Sequence, residues 1–101
     1  MAYQYDLYVG SPQDSREYTL NTIIRETSKV NPGFTILDSV GAWRAERESC
    51  FIVRICTRTQ ANTAYYALAS RLAEALRQEC IMLTRTRIDV LEFVAGRKAN
   101  G

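Results

Sequence analysis

Apolar side chains in this chain repeat with two periods, and the order in which those periods alternate leaves few folds open. In 3–9, Tyr3, Tyr5, Leu7 and Val9 fall on one face and Gln4, Asp6 and Tyr8 on the other, the period-two signature of a half-buried strand. Gly10-Ser11-Pro12 stops it. Leu20, Ile23, Ile24 and Thr27 then recur at helical spacing, which predicts a helix over 14–29. Asp14 is its expected N-cap, Glu17 follows three residues on, and Asn31-Pro32-Gly33 ends it. Residues 34–44 read as a second strand, in which Gly41 predicts a bulge or a close backbone approach. The polar stretch 45–49 reads as a hairpin turn, and 50–57 as a third strand. Leu68, Leu72 and Leu76, supported by Tyr65, Ala69 and Ala75, predict a second helix over 61–78. The stretch 80–94 is too long for one straight strand at about 3.3 Å per residue. A break near 84–86 is therefore expected, with the second piece free to pass to a neighbouring subunit.

The resulting order, β-α-β-β-α-β, is that of the split βαβ, ferredoxin-like α+β fold: a four-stranded antiparallel sheet with both helices on one face. With 101 residues, 47% of them apolar, the chain suits a single domain over 1–101, residues 95–101 forming a frayed tail. No apolar run approaches the ~18 residues of a transmembrane helix. The opening MAYQYDLYVG has no basic n-region, apolar h-region or cleavage site, so a cytoplasmic location is expected.

Helices on one side leave the other sheet face to water or a partner. If Tyr5, Leu7, Phe34, Ile36, Val40, Phe51, Val53 and Ile55 turn to the helices, then Asp6, Tyr8, Leu37, Trp43, Ile52 and Arg54 turn away, with Arg85 or Arg87 a candidate beside them. That set is about half apolar, and a monomer rarely leaves such a patch wet. A two-fold homodimer or higher homo-oligomer through this face is expected, with Tyr8, Leu37, Trp43, Ile52 and Arg54 at the interface.

Composition narrows the chemistry. The chain has no histidine, which removes Ser-His-Asp and Cys-His catalysis and nearly every common zinc site; no metal and no cofactor is expected. The three cysteines, Cys50, Cys56 and Cys80, read as reduced, buried thiols acting as small hydrophobes. The net charge of +2 does not itself indicate nucleic acid. Its distribution is uneven: residues 1–43 hold three basic and five acidic side chains, residues 44–101 ten and six. Eleven of the thirteen basic residues are Arg, the residue suited to planar, bidentate contact with phosphate or carboxylate.

Four motifs in order, YDLYVG at 5–10, GFTILDSVGAWR at 33–44, RES at 47–49 and RQECIML at 77–83, resemble a bacterial and phage family known only as a domain of unknown function. The resemblance runs through about 90 of the 101 residues. It implies a ferredoxin-like protein reminiscent of dimeric α+β barrels and PII-like signalling proteins, and no activity. The family's marked positions fall on Gly41, Trp43, Arg47, Glu48 and Gln78. The chain departs from the family pattern in lacking a signal peptide and in its short first loop.

Trp43, Arg44, Arg47 and Glu48 crowd the second hairpin, and Gln78 precedes the last strand. A Trp face, Arg forks and a carboxylate suit a base or sugar plus phosphate, and Arg85 and Arg87, two apart in a strand, can add phosphate contacts. These seven residues form the candidate ligand site; the alternative is that Trp43 is an interface anchor and Arg47 and Glu48 pair within the assembly. The expected function is non-catalytic: an oligomer binding a small anionic, nucleotide-like ligand. A phage sponge that sequesters a nucleotide signal of host immunity is its concrete form, and a structural or protein-interaction module is the runner-up. Two lesser readings remain. One is an enzyme, either with Glu48 as general acid or base or of the cofactor-free dimeric α+β barrel type, for neither of which the residues call. An RNA-binding module is disfavoured, because 50–57 turns only Arg54 outward among apolar residues.

Overall fold

Strand β1 (Ala2–Gly10) runs into a short 3-10 turn (Gln13–Ser15) and helix α1 (Arg16–Ser28), followed by β2 (Thr35–Trp43), β3 (Glu46–Thr57), α2 (Asn62–Ala75) and β4 (Met82–Ile88). The computed structural model describes residues 1–96. The four strands form one antiparallel sheet in the order β2-β3-β1-β4, so the ferredoxin-like arrangement expected from the two periods is the observed one.

The alternation of β1 and β3 decides what is core. Tyr5, Leu7 and Val9 stand beside Ile55, Val53 and Phe51 in register and are buried. From above, α1 lowers Ile23 onto them and α2 lowers Tyr65, Leu68 and Leu72. Burying each of these large side chains contributes roughly 1.5–3 kcal/mol. Tyr5 and Tyr65 meet with ring centroids 4.3 Å apart, and the Tyr5 hydroxyl donates to Asn62 Oδ1 at 2.7 Å while accepting the Ala61 amide at 3.2 Å. The core thus fastens the start of α2 to the middle of β1. Between the helices, Glu26 of α1 is nearly buried and takes Arg25 and Lys29 at 3.1 Å and Arg71 of α2 at 3.4 Å. Hydrogen bonds from Arg25 and then Lys29 hold its carboxyl below the ordinary value of 4.5.

Several expectations are corrected. Asp14 does not cap: it lies inside the 3-10 turn, whose first bond runs from the Ser15 amide to the Pro12 carbonyl at 3.1 Å, and α1 starts two residues later without a side-chain cap. Gly41 makes no bulge; it pairs in regular register with Glu48, and a Cβ there would meet nothing within 4 Å. The turn expected over 45–49 is only Arg44-Ala45, because Glu46–Ser49 continue the ladder with β2. β4 is unbroken at 84–86, pairing with β1 from Met82 to Ile88; the stretch was shortened by its ends, since 80–81 and 89–96 lie outside the strand. Of the tail expected at 95–101, residues 97–101 lie outside the described residues. Val40 is on the helix side as expected but 70% exposed, because the helices do not reach it. The thiols are not buried: Cys50 is half-buried, and Cys56 and Cys80 are exposed.

Candidate functional site: the open face, the hairpin arm and its groove

The face away from the helices is organised in rows. Leu37, Ile52, Tyr8 and Met82 stand in register across all four strands and form one apolar row. The next row is polar: Thr35, Arg54, Asp6 and Thr84. At its centre Arg54 donates through Nε and Nη2 to both Asp6 oxygens at 3.0 Å, a bidentate pair whose carboxylate is nearly buried. The Asp6 carboxylate holds the guanidinium still further above its already high value. Arg85 and Arg87 are not on this face. Their register partners are Tyr5 and Tyr3, which places them on the helix side. Arg85 lies 5.8 Å over the Tyr3 ring and donates to Asn62 at 3.0 Å, and Arg87 sits beside the Met1 sulfur.

β1 stops pairing at Gly10, opposite Cys50, whereas β2 and β3 continue together to Trp43 and Glu46. The pairs from Val40–Ser49 to Trp43–Glu46 form an arm standing clear of the sheet, and residues 40–48 are all exposed. It closes through Arg44 and Ala45, with φ of 51° and 66°. Two successive left-handed residues are what a two-residue type I′ hairpin loop requires, and neither residue is a glycine. Each such residue costs roughly 1–2 kcal/mol. At the tip Trp43 is 64% exposed, with the Arg44 guanidinium 5.4 Å from its ring.

At the base of the arm lies a groove of about 690 Å³ between three segments: the β1–α1 turn (residues 10–13), the start of β3 (47–50) and the α2–β4 turn (78–80), with Tyr8 on its floor. The Ser11 amide donates to the Ser49 carbonyl at 2.9 Å, which extends the β1–β3 ladder by one step. Gln78 acts as a substitute strand: its Nε2 donates to the Gly10 carbonyl at 2.7 Å and its Oε1 accepts the Gly10 amide at 3.2 Å, where β4 has not yet begun. Its amide is therefore occupied in holding the turn. Ser11 is buried, and its hydroxyl has no hydrogen-bond partner among the described residues.

Of the seven candidate ligand residues, then, Arg47, Glu48 and Gln78 converge on this groove. Trp43 and Arg44 sit at the arm tip, and Arg85 and Arg87 lie toward the other end of β1 on the opposite face. Ser11, Glu79 and Tyr8 also line the groove and were not among the seven. Ser11 had a faint signal in the Gly10-Ser11-Pro12 break; Glu79 needed the α2–β4 turn to be folded back over β1.

A second groove, of about 670 Å³, opens at the opposite end of the open face between Phe34, Thr35, Arg54, Cys56 and the segment after β4 that carries Leu91 and Phe93. Arg58 holds that segment by donating to the Leu91 carbonyl and lying 5.9 Å from the Phe93 ring. No group of three or more metal-ligating side chains is assembled among the described residues, and no described helix is long and apolar enough to cross a membrane.

No family model matches the chain, and no curated protein matches it. Solved structures similar to it include the de novo designed protein Foldit4, at 10% identity over 87% of this chain and 97% of that one with a TM-score of 0.49. A second designed protein, with a ferredoxin fold, is 18% identical over 100% and 97% of the two chains, TM-score 0.40. An uncharacterised protein of Thermotoga maritima is 15% identical over 84% and 92%, TM-score 0.41. The fold assignment rests on the strand order and helix placement of the chain itself: it is a small ferredoxin-like α+β protein.

Proposed function

We propose that this is a non-catalytic, homo-oligomeric binding protein that closes its open sheet face on a second copy and holds a small anionic, nucleotide-like ligand in the groove at the base of the arm. The observation that supports the reading is that Arg47, Glu48 and Glu79 line one groove beside that face, at the edge of which the buried Ser11 hydroxyl has no hydrogen-bond partner among the described residues. Its volume falls within the roughly 300–1,000 Å³ of small-molecule sites. Arg47 supplies a planar fork for a phosphate or carboxylate. Glu48 and Glu79 accept hydrogen bonds from sugar hydroxyls or an exocyclic amine, and the Tyr8 ring offers an apolar wall. One guanidinium against two carboxylates favours a ligand with a single phosphate over a polyphosphate. The sponge is the biological form this reading takes, since binding alone suffices for sequestration; it rests on the small oligomeric architecture and on no motif.

A thermal-shift series with nucleoside monophosphates, cyclic dinucleotides and ADP-ribose tests this. Tm is expected to rise with concentration, most for the nucleoside monophosphates, and to stay flat in Arg47→Ala. A stable oligomer that shifts with none of them points instead to a structural or protein-interaction module, the reading favoured by the fully exposed arm.

A further inference from the structure

The arm is an unsupported two-stranded ribbon, marginal by itself in water, and it carries an exposed Trp on the side that continues the open face. That side of β3 is also charge-polarised about one residue. Counting outward from Ile52 in the apolar row, Glu48 and Glu46 lie toward the arm; toward the other end lie Arg54, whose charge Asp6 balances, and, one residue past the end of the strand, Arg58. Glu46 and Arg58 are each six residues from Ile52, about 20 Å at strand spacing. None of Glu46, Glu48 and Arg58 has an ion-pair partner among the described residues, and all three are exposed.

We infer that the partner on the open face is a second copy running antiparallel, related by a two-fold axis along the row Leu37–Ile52–Tyr8–Met82, so that each arm crosses the partner's sheet and seats Trp43 in the partner's groove beside Phe34, Leu91 and Phe93. The inference rests on the sheet-to-sheet pairing proposed above and gives it an orientation. Rotation about that row packs the apolar residues against their own copies and places Glu46 opposite the partner's Arg58. Trp43, six residues from Leu37 on β2, then reaches the region just past the partner's Cys56, where the second groove opens. The parallel alternative sets Glu46 and Glu48 against their own copies and Arg58 against its own, which like-charge repulsion disfavours; Arg54 adds nothing to this because Asp6 balances it in each copy. Face-to-face sheets cross by up to about 30°, which shifts ends about 20 Å from the axis sideways by about 10 Å, a gap to be spanned by the long Glu46 and Arg58 side chains. Covering the arm in this way supplies the packing that it lacks in a single copy, and a buried Trp is a typical interface anchor.

Sedimentation of the full chain over a concentration range at low and high salt tests the orientation. The wild type is expected to dimerise, less tightly at high salt. Glu46→Arg and Arg58→Glu, each present twice in a dimer, are expected to weaken dimerisation by about tenfold or more singly, and the double variant to recover most of the loss. Trp43→Ala is expected to weaken it by at least about tenfold. Circular dichroism and Tm confirm that each variant folds; because Arg58 also holds the segment with Leu91 and Phe93, the recovery in the double variant, rather than the loss in Arg58→Glu alone, reads the pairing. A wild-type dimer indifferent to all three substitutions, or a double variant no tighter than either single one, overturns the antiparallel arrangement and leaves the oligomer standing. A wild type that stays monomeric at high micromolar concentration overturns both readings.

Discussion

The two faces of this sheet are written with the same two-residue alternation and answer opposite demands. Toward the helices, Leu7, Val9, Val53 and Ile55 are buried with no polar side chain between them. On the other side, an apolar row of Leu37, Ile52, Tyr8 and Met82 lies next to a row centred on the Asp6–Arg54 pair. A core gains from uniform apolarity, because every atom removed from water adds stabilisation irrespective of direction. A surface that must meet one partner in one register gains from mixing, because a bidentate ion pair is costly to mismatch. The contrast teaches that alternation identifies a sheet with two faces, whereas only the composition of each face tells which one the chain covers with its own helices.

The largest effect expected from this comparison separates core from open face. Leu7→Ala should lower unfolding stability by about 2–5 kcal/mol in a urea titration, the usual cost of a cavity at a fully buried leucine. Ile52→Ala, at the same depth along the sheet on the other face, should cost well under half of that at concentrations where the protein is monomeric. Equal losses at the two positions would erase the distinction. Next in size is Asp6→Asn, which leaves Arg54 with a neutral amide in place of a bidentate carboxylate; a loss of about 1–3 kcal/mol is expected by the same titration. A smaller gain comes from the arm: replacing Arg44-Ala45 by Asn-Gly relieves two left-handed non-glycine residues and should raise stability by about 1 kcal/mol. No gain would mean that the loop is held by something beyond its own backbone. The smallest effect is a slope. Glu26 is held below its ordinary 4.5, so the stabilisation from its carboxylate is complete above about that pH and is lost as pH falls through the lower folded value. Glu26→Gln should lower Tm modestly at neutral pH, where the carboxylate's contribution is complete, and flatten the decline in Tm below pH 4.5, so that the two proteins converge in acid.

Where reading and structure part, the reasons are local. Residues 45–49 look like a turn because Glu46, Arg47, Glu48 and Ser49 are all polar; they are strand because an arm with both faces in water has no apolar side to alternate. Gly41 lies in that same arm, and its freedom from contact follows from the absence of any neighbour rather than from crowding. Arg85 and Arg87 were assigned by spacing alone, which fixes that they share a face but not which one; that depends on the pairing of Tyr5 with Arg85. For the candidate site, Arg47 and Glu48 were legible as a charged pair at a hairpin. Gln78 was legible as a marked position but not as a clamp on Gly10, a contact between residues 68 apart.

By itself the sequence determined the order of elements, the identity of the core and the existence of an open face with a Trp and an Arg on it, because those follow from periodicity, a property of neighbours along the chain. Only the tertiary structure decided how far β2 and β3 outrun β1, which side β4 turns toward the helices, and that the β1–α1 turn, the arm and the α2–β4 turn enclose a groove. Each of those is set by strand register, and register is fixed by contacts between distant segments that no local pattern encodes.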